Sequence, residues 1–280
     1  FMFSKSWSNA KCCNNNLNID SLNIFIKKLA ILSKLLKKKG KYFKIIIPPS
    51  KEELYSEKLP SNYTKTNGLS DYDLLKTSLN KNKIDYWDLL PFYKSLNDTT
   101  KFPIYSKTSV HWTNYGAHFT LKRLLSDMSI FFDNKMPKIT VSEFKKDKFK
   151  NGDGDYEKTL NILSRIDNQI FLYPKYKIDS SKNKTFKPKV LTIGDSFYWG
   201  LKNTWILPNV YDKKSKYLYY FNTVYYNNSY DKSHLINSLD IVEEFESCNA
   251  VVIINSSHNL NGFPYNFEKN IDDIIAALKK

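Results

Sequence analysis

The amino-acid sequence predicts an α/β fold in which a short parallel sheet lies between helices. Short apolar runs typical of strands alternate with helical stretches along the chain. The run from Val190 to Ile193 consists mostly of β-branched or aliphatic residues and predicts a short buried strand, and the continuous apolar run from Val251 to Ile254 suits a strand buried on both faces of a sheet. The chain has 280 residues with 41% hydrophobic content, enough for one large core. We expect residues 1–280 to form a single domain, with a loose lead-in at 1–19 and an irregular insertion at 133–188.

The first half of the chain supplies helix and strand in alternation. From Asp20 onward, apolar residues recur three and four positions apart up to Gly40, which predicts an amphipathic helix capped by Asp20 or Ser21. Residues 42–47 form a predicted strand that must stop at the two prolines after it, and Ser50 is placed to cap a helical turn. Further predicted elements are a helix at 71–79, a strand at 84–89, and a helix at 117–131 with Thr113 as its N-cap.

The second half repeats this alternation after the charged, turn-rich insertion. A strand at 190–193 is followed by turn-forming residues and then by a predicted helix. The remaining elements are a helix to about Leu207, an aromatic strand-like run at 217–226, a helix at 231–245, a strand at 250–255 and a closing helix at 267–278.

Charge and cysteine content limit the function classes. The formal net charge of +15 is compatible with an anionic partner surface, but the lysines are scattered along the sequence, so a solvated face is an equally simple reading. No basic stripe indicates a nucleic-acid site, and we expect no nucleic-acid partner. Cys12, Cys13 and Cys248 fit neither a disulfide framework nor a zinc spacing. No run is long and apolar enough to span a bilayer.

Ser196 is the candidate nucleophile. It follows Gly194 and Asp195 at a predicted strand-to-helix corner, where a serine hydroxyl stands at the rim of the sheet and its amide can help to hold an oxyanion. The alternatives are that Ser196 is only an N-cap and that Asp195 only shapes the turn. The candidate base is His111, just before the helix at 117–131. His118 lacks a third ligand nearby, so no metal site is predicted.

Three motifs in order carry a family resemblance. They are IIIPPSKEELYSEKLP at 45–60, TSVHWTNYGA at 108–117 and GDSF at 194–197. Together they resemble the SGNH-hydrolase-like acetyltransferases of the alginate O-acetylation type, the AlgX and AlgJ group, with the related DHHW proteins. The resemblance implies an SGNH-like fold, Ser196 as nucleophile and His111 as base. It also implies transfer of an acetyl group to a cell-envelope or exported polysaccharide, or its removal by an esterase.

The resemblance carries further expectations about the setting. No cofactor is needed for an acyl-serine reaction. The acceptor is a polysaccharide, and the acetyl donor is a membrane-bound partner protein. We expect an extracytoplasmic, cell-envelope location, with a membrane anchor in a segment ahead of Phe1.

The sequence departs from the family at the carboxylate that should orient the base. The family pattern is Asp-x-His-Trp, whereas this chain has Ser109 two residues before His111. Ser109 is expected to accept a hydrogen bond from the ring without supplying charge, unless another acid such as Asp98 takes that place. The alternative function is therefore a catalytically impaired family member that binds glycan or scaffolds an acetylation complex.

Polar residues after the last strand complete the predicted site. Asn255 is expected to donate to an oxyanion, and His258 to contact substrate, because ligands bind beyond the carboxyl ends of strands in open α/β sheets. Trp112 is expected to pack rather than react. The aromatic run at 217–226 is read as sheet core and edge, with sugar stacking as the alternative.

Overall fold

A computed structural model gives the architecture of residues 18–59, 69–148, 150, 153–160, 169–179, 186–229 and 233–280. The predicted lead-in at 1–19 lies almost wholly outside these described residues. The helices are α1 (Ile19–Lys38), α2 (Lys51–Leu54), α3 (Asp71–Lys81), α4 (Leu90–Thr99), α5 (Asn114–Phe131), α6 (Asp155–Leu160), α7 (Tyr198–Lys202), α8 (Leu207–Val210), α9 (Ile241–Ser247) and α10 (Ile271–Lys279). The strands are β1 (Tyr42–Ile47), β2 (Tyr86–Asp88), β3 (Ile139–Asp147), β4 (Phe171–Ile178), β5 (Val190–Gly194), β6 (Lys216–Tyr219), β7 (Thr223–Tyr226), β8 (Ser233–Leu235) and β9 (Ala250–Ile254).

The described strands form one large sheet and one hairpin. The sheet has seven strands in the order β2-β1-β9-β5-β6-β7-β8, and the first five of these are parallel. The strands β7 and β8 add to the β6 edge in antiparallel fashion. The central strands β5 and β9 are buried along their whole length, as their β-branched and aliphatic sequences predict. The predicted mainly parallel α/β sheet is confirmed.

Two hydrophobic cores cover the two faces of the sheet. One contains α1, α3, α9 and α10, packed on inward residues such as Ile45 and Ile253. The other contains α4, α5, α7 and α8, packed on residues such as Ile46 and Ile254. Adjacent residues of one strand thus serve opposite cores, as the alternation of side chains along a strand dictates.

Local sequence signals correctly predicted most of the helices and caps in the first half of the chain. The helix α1 is amphipathic as predicted, although its N-cap is Asn18, whose side chain accepts a hydrogen bond from the Ser21 amide at 3.0 Å. Ser50 caps α2 and forms a reciprocal capping box with Glu53. Thr113 caps α5 by accepting from the Gly116 amide.

The second half differs from the prediction in three places. The aromatic run at 217–226 is a hairpin, not one strand, because Tyr220 and Phe221 adopt positive φ angles of 49° and 47° and reverse the chain. The predicted helix at 231–245 is wrong, since β8 and a 3₁₀ turn precede α9, which Asp240 caps. The helix predicted after Ser196 is divided into the short helices α7 and α8.

The insertion at 133–188 is more regular than predicted. Its described residues include the two long strands β3 and β4, which pair with each other and not with the main sheet. The strand β4 packs on α5, where the Tyr176 hydroxyl lies 2.9 Å from the Nδ1 atom of the buried His118. The helix α6 lies between the two strands in sequence, so the hairpin brings α6 to the body of the domain.

Candidate active site

Ser196 lies at the carboxyl end of the buried central strand β5. The preceding residue, Asp195, is fully buried and fixes this corner, since its carboxylate accepts from the Phe197 amide at 3.0 Å and from the Ser256 amide at 2.8 Å and hydroxyl at 2.6 Å. Burial raises the pKa of the Asp195 carboxyl, and the Ser256 hydrogen bonds oppose that rise. Asp195 therefore joins the end of β5 to the connection after β9 and shapes the turn that presents Ser196.

His111 lies in the connection between α4 and α5, which buried polar contacts hold in place. The ammonium group of Lys51, 1% exposed, donates to the backbone carbonyls of Lys107 at 2.8 Å and Ser109 at 2.9 Å. The Tyr105 hydroxyl donates to the carbonyl of Pro49 at 2.5 Å. The PPSK segment after β1 thus supports the stretch of backbone that precedes the histidine.

Trp112 ties the histidine connection to the serine corner. Its indole N–H donates to the Phe197 carbonyl at 3.1 Å, and its ring packs edge-on against the Phe197 ring. A side chain at Gly200 would place a Cβ atom 2.1 Å from the Trp112 Nε1 atom, so only glycine admits this contact. The expected packing role of Trp112 is confirmed.

The structure brings His111 and Ser196 together although 85 positions separate them. The His111 Nε2 atom is 2.7 Å from the Ser196 hydroxyl oxygen, and its Nδ1 atom is 2.6 Å from the Asp155 carboxylate. An ionised carboxylate only accepts hydrogen bonds, so Nδ1 carries the ring proton and the Nε2 lone pair faces the serine. The three side chains form a linear acid, base and nucleophile arrangement of the kind used for acyl transfer.

Asp155 is the site residue that sequence reasoning missed, and Ser109 is not the partner of the ring. The Ser109 hydroxyl donates to the same Asp155 oxygen at 2.6 Å and accepts from the His111 amide at 3.1 Å. Asp155, rather than Asp98, thus supplies the carboxylate that the motif lacks. In the sequence, the only sign of this carboxylate is the group of acidic residues at the start of α6. Those residues lie in the segment that was predicted to be an irregular insertion.

Contacts of the inserted hairpin place Asp155 beside the histidine. The Tyr156 amide donates to the Thr108 carbonyl at 3.0 Å, which holds the start of α6 against the His111 connection. Asp153 is buried, and its carboxylate accepts from the Tyr173 hydroxyl of β4 and from the Lys150 amide at 3.0 Å. The acid therefore depends on the β3–β4 hairpin for its position.

Asn255 and His258 lie in the connection after β9, next to the residues that bind Asp195. The Asn255 amide group donates to the Ser256 carbonyl at 3.0 Å and accepts from the Tyr265 hydroxyl. These contacts hold Asn255 within its own connection, and donation to an oxyanion stays a prediction. His258 lies in a 3₁₀ segment, Ser257–Gly262, and its substrate contact also stays a prediction.

Aromatic side chains flank the serine on the β6 side. Trp199 lies one turn after Ser196, with its amide donating to the Ser196 carbonyl at 3.1 Å, and its ring packs on Tyr219 and Tyr225 at centroid distances of 5.9 and 4.8 Å. These three rings are half-buried, whereas Tyr217 of the same run is buried in the core. The run thus provides both sheet core and a partly exposed aromatic flank.

Two further properties concern metals and membranes. In the part of the chain that the structure describes, no three His, Cys, Asp or Glu side chains are grouped closely enough to hold a metal ion. Within the same described residues, no helix has the length and hydropathy to cross a membrane.

Comparison with solved structures shows the same fold in several bacterial proteins. The chain is similar to the O-acetyltransferase domain of Pseudomonas putida AlgJ, with 14% identity and a TM-score of 0.55 over 93% of this chain and 91% of that one. It is also similar to Bacillus cereus PatB1 with a sulfonyl adduct, with 15% identity and a TM-score of 0.58 over 92% and 93%. For Pseudomonas aeruginosa AlgX, the identity is 13% and the TM-score 0.55 over 89% of this chain and 61% of that one. At these identities the likeness establishes the fold.

Sequence comparison identifies the family. The search of curated proteins gives no match. A family model described as the SGNH hydrolase-like domain of acetyltransferase AlgX matches residues 20–197, which include β1, the His111 connection and the Ser196 corner. This match covers more than half of the sequence, so the chain belongs to the SGNH hydrolase-like family of acetyltransferase AlgX.

Proposed function

We propose that this protein is a serine-dependent O-acetyltransferase that acts on a cell-envelope or exported polysaccharide. The observation that carries the proposal is the Asp155, His111 and Ser196 relay, with separations of 2.6 and 2.7 Å. Membership of an acetyltransferase family supports the acetyl group as the one transferred. The half-buried rings of Trp199, Tyr219 and Tyr225 support a sugar acceptor, because aromatic faces are suitable surfaces for the apolar faces of sugar rings.

The first half-reaction acetylates the enzyme. The Ser196 hydroxyl oxygen attacks the acetyl carbonyl carbon of the donor while His111 Nε2 takes the hydroxyl proton. The Asp155 carboxylate stabilises the imidazolium that forms. The Phe197 amide is already bound to Asp195, so we assign the Ser196 amide to the tetrahedral oxyanion. Collapse of the intermediate breaks the bond to the leaving oxygen, which receives the proton from His111.

The second half-reaction returns the serine. His111 takes the proton of an acceptor sugar hydroxyl, whose oxygen attacks the acetyl-serine carbonyl. The Ser196 oxygen then leaves and recovers its proton from the imidazolium. Water in place of the sugar gives the esterase reaction, so the choice between transfer and hydrolysis depends on which hydroxyl occupies the aromatic flank. The family likeness supports a membrane-bound donor protein as the source of the acetyl group and an extracytoplasmic setting.

An activated acetyl ester tests the proposal directly. We expect p-nitrophenyl acetate to give a burst of p-nitrophenolate with a mass increase of one acetyl group on Ser196. The Ser196→Ala and His111→Ala variants should lose both signals, whereas Asp133→Asn, an exposed acidic residue away from the site, should keep them. A polysaccharide acceptor should shorten the lifetime of the acetyl-enzyme.

The alternative is a glycan-binding or scaffolding protein without activity. Its main support was the missing carboxylate at Ser109, and the presence of Asp155 beside the ring removes that support. Absence of acetylation at any pH, together with retained glycan binding, would establish the alternative instead.

A further inference from the structure

The folded chain brings together, at one end of the sheet, ten lysines that look scattered in the sequence. We call the end where the parallel strands begin the basic end. Lys37, Lys38 and Lys39 immediately precede β1, Lys187 precedes β5, and Lys213 and Lys214 precede β6, all of them exposed. Because parallel strands start at the same edge, connections far apart in the chain converge there.

Two helices add to the same end. Both α3 and α10 run antiparallel to the strands, as connections in parallel α/β units do, so their last residues lie beside the strand starts. Lys81 is the last residue of α3 and Lys83 lies just after it. Lys279 is the last residue of α10 and Lys280 lies just after it, and all four lysines are exposed. From β2 to β6 the basic end spans four strand spacings, or roughly 20 Å.

In the part of the chain that the structure describes, the exposed lysines of the basic end have no acidic partner within ion-pair distance. Other lysines nearby have acidic partners: Lys189 and Lys216 pair with Glu244 at 2.9 and 2.6 Å, and Lys44 pairs with Asp85 at 2.5 Å. Among the described residues, none of the exposed lysines named above forms an ion pair. Helix dipoles account for cations at the ends of α1, α3 and α10, but not for Lys187, which precedes a strand.

The opposite end, where Ser196 stands, carries exposed acids beside its exposed lysines, such as Lys58 and Lys269. Glu57 follows β1, Glu268 and Asp273 mark the start of α10, and Asp240 caps α9, all of them exposed. Asp155 of the relay lies at the same end. The exposed positive charge is therefore more concentrated at the basic end than at the end that carries the active site.

We propose that the basic end docks on the anionic phospholipid headgroups of a membrane surface and points the active site away from the lipid. Three features favour headgroups over a single polyanionic chain. The charge is spread across the width of the sheet rather than along one groove. It consists of lysines, which are flexible point charges suited to many mobile phosphates rather than to one fixed pair. The exposed acids at the Ser196 end are repelled by the same surface, which favours the orientation with the basic end towards the lipid.

This orientation goes beyond the proposed reaction and does not depend on it. It places Ser196 on the side that faces the surrounding polymer. A membrane-bound acetyl donor would then have to present the acetyl group above the headgroups, on a part of the donor that extends from the bilayer.

Vesicle sedimentation with matched double variants tests the proposal. The whole protein is mixed with phosphatidylcholine vesicles with or without phosphatidylglycerol. We expect binding only to the anionic vesicles and a decline as salt is raised. The Lys38→Gln/Lys39→Gln and Lys213→Gln/Lys214→Gln variants should each reduce the partition coefficient by about tenfold or more.

The matched control removes the same charge from the opposite end of the sheet. Lys58→Gln/Lys269→Gln changes two exposed lysines on the Ser196 side and should leave vesicle binding nearly unchanged. Circular dichroism verifies that all variants are folded. Equal losses in both sets would mean that net charge alone acts, and would overturn the proposal. Binding to a soluble polyphosphate without binding to anionic vesicles would overturn it in favour of a polymer ligand, and so would no vesicle binding at low salt.

Discussion

The Asp155 carboxylate lies 2.6 Å from the His111 Nδ1 atom, although 44 positions separate the two residues. This contact restores the charge that the family motif normally supplies from two residues before the histidine. Ser109, at the motif position, has become an auxiliary donor to the same carboxylate oxygen at 2.6 Å. The orienting acid thus comes from a different segment of the chain than the family motif implies.

Replacing Asp155 with Asn should slow acetylation strongly. The amide no longer stabilises the imidazolium and can favour the wrong ring tautomer, and loss of this role costs about 10⁴-fold in the serine-protease precedent. Burst kinetics with an activated ester give the rate of acetylation. An Asp98→Asn control should react at the unmodified rate. Unchanged kinetics in Asp155→Asn would show that the ring needs no carboxylate.

Placing an aspartate at position 109 should increase the rate of acetylation only when Asp155 is absent. In the unmodified background, Ser109→Asp sets two carboxylates side by side, and their repulsion should reduce activity and stability. In the Asp155→Asn background, the same change should recover part of the lost rate. Measuring all four combinations gives the interaction energy between the two positions. Independent, additive effects would contradict the view that either position can supply the carboxylate that orients His111.

Gly200→Ala should displace the base without touching the reacting atoms. Its Cβ atom would lie 2.1 Å from Trp112 Nε1, so the indole must move and its bond to the Phe197 carbonyl must break. A shift of about 1 Å near the reacting groups is expected to cost roughly 10²-fold in rate. The double variant Gly200→Ala/Trp112→Phe should recover part of the activity. Failure of the smaller ring to restore any rate in a folded protein would argue against this coupling.

His118 should make the fold sensitive to mild acid. Burial, with the Lys122 charge, lowers the pKa of His118 to about 4, whereas an unfolded histidine titrates near 6.5. Between these values the unfolded chain binds a proton that the folded protein rejects, so stability is lost as the pH falls from about 6.5 towards 4. The loss attributable to this residue is at most about 3 kcal/mol. Denaturant unfolding of His118→Gln, which keeps a polar partner for Tyr176, should show a smaller decline over that range. Parallel curves for the two proteins would contradict this assignment.

The elements that sequence reasoning located were those with strong local signals. The apolar strands β5 and β9, the amphipathic helix α1 and the Ser50 and Thr113 caps each follow from residues close together in the chain. The pairing of Ser196 with His111 came from the order of the motifs, because spacing alone says nothing about residues 85 positions apart.

The failures arose where tertiary contacts override local pattern. The aromatic run has no glycine and only one turn-forming residue, Asn222, which is too weak a signal to predict that Tyr220 and Phe221 reverse the chain with positive φ angles. Asp155 was missed because its role depends on hydrogen bonds that dock the β3–β4 hairpin, such as that between the Tyr156 amide and the Thr108 carbonyl. The clustering of lysines at the basic end was not predicted for the same reason, since only the sheet topology brings those lysines together.

The hairpin that carries Asp155 pairs with itself and contributes no strand to the main sheet. Local opening of this peripheral unit would withdraw the acid while leaving the nucleophile and its base in register on a rigid scaffold. The turnover rate would then depend on the fraction of time that the hairpin packs against the rest of the domain.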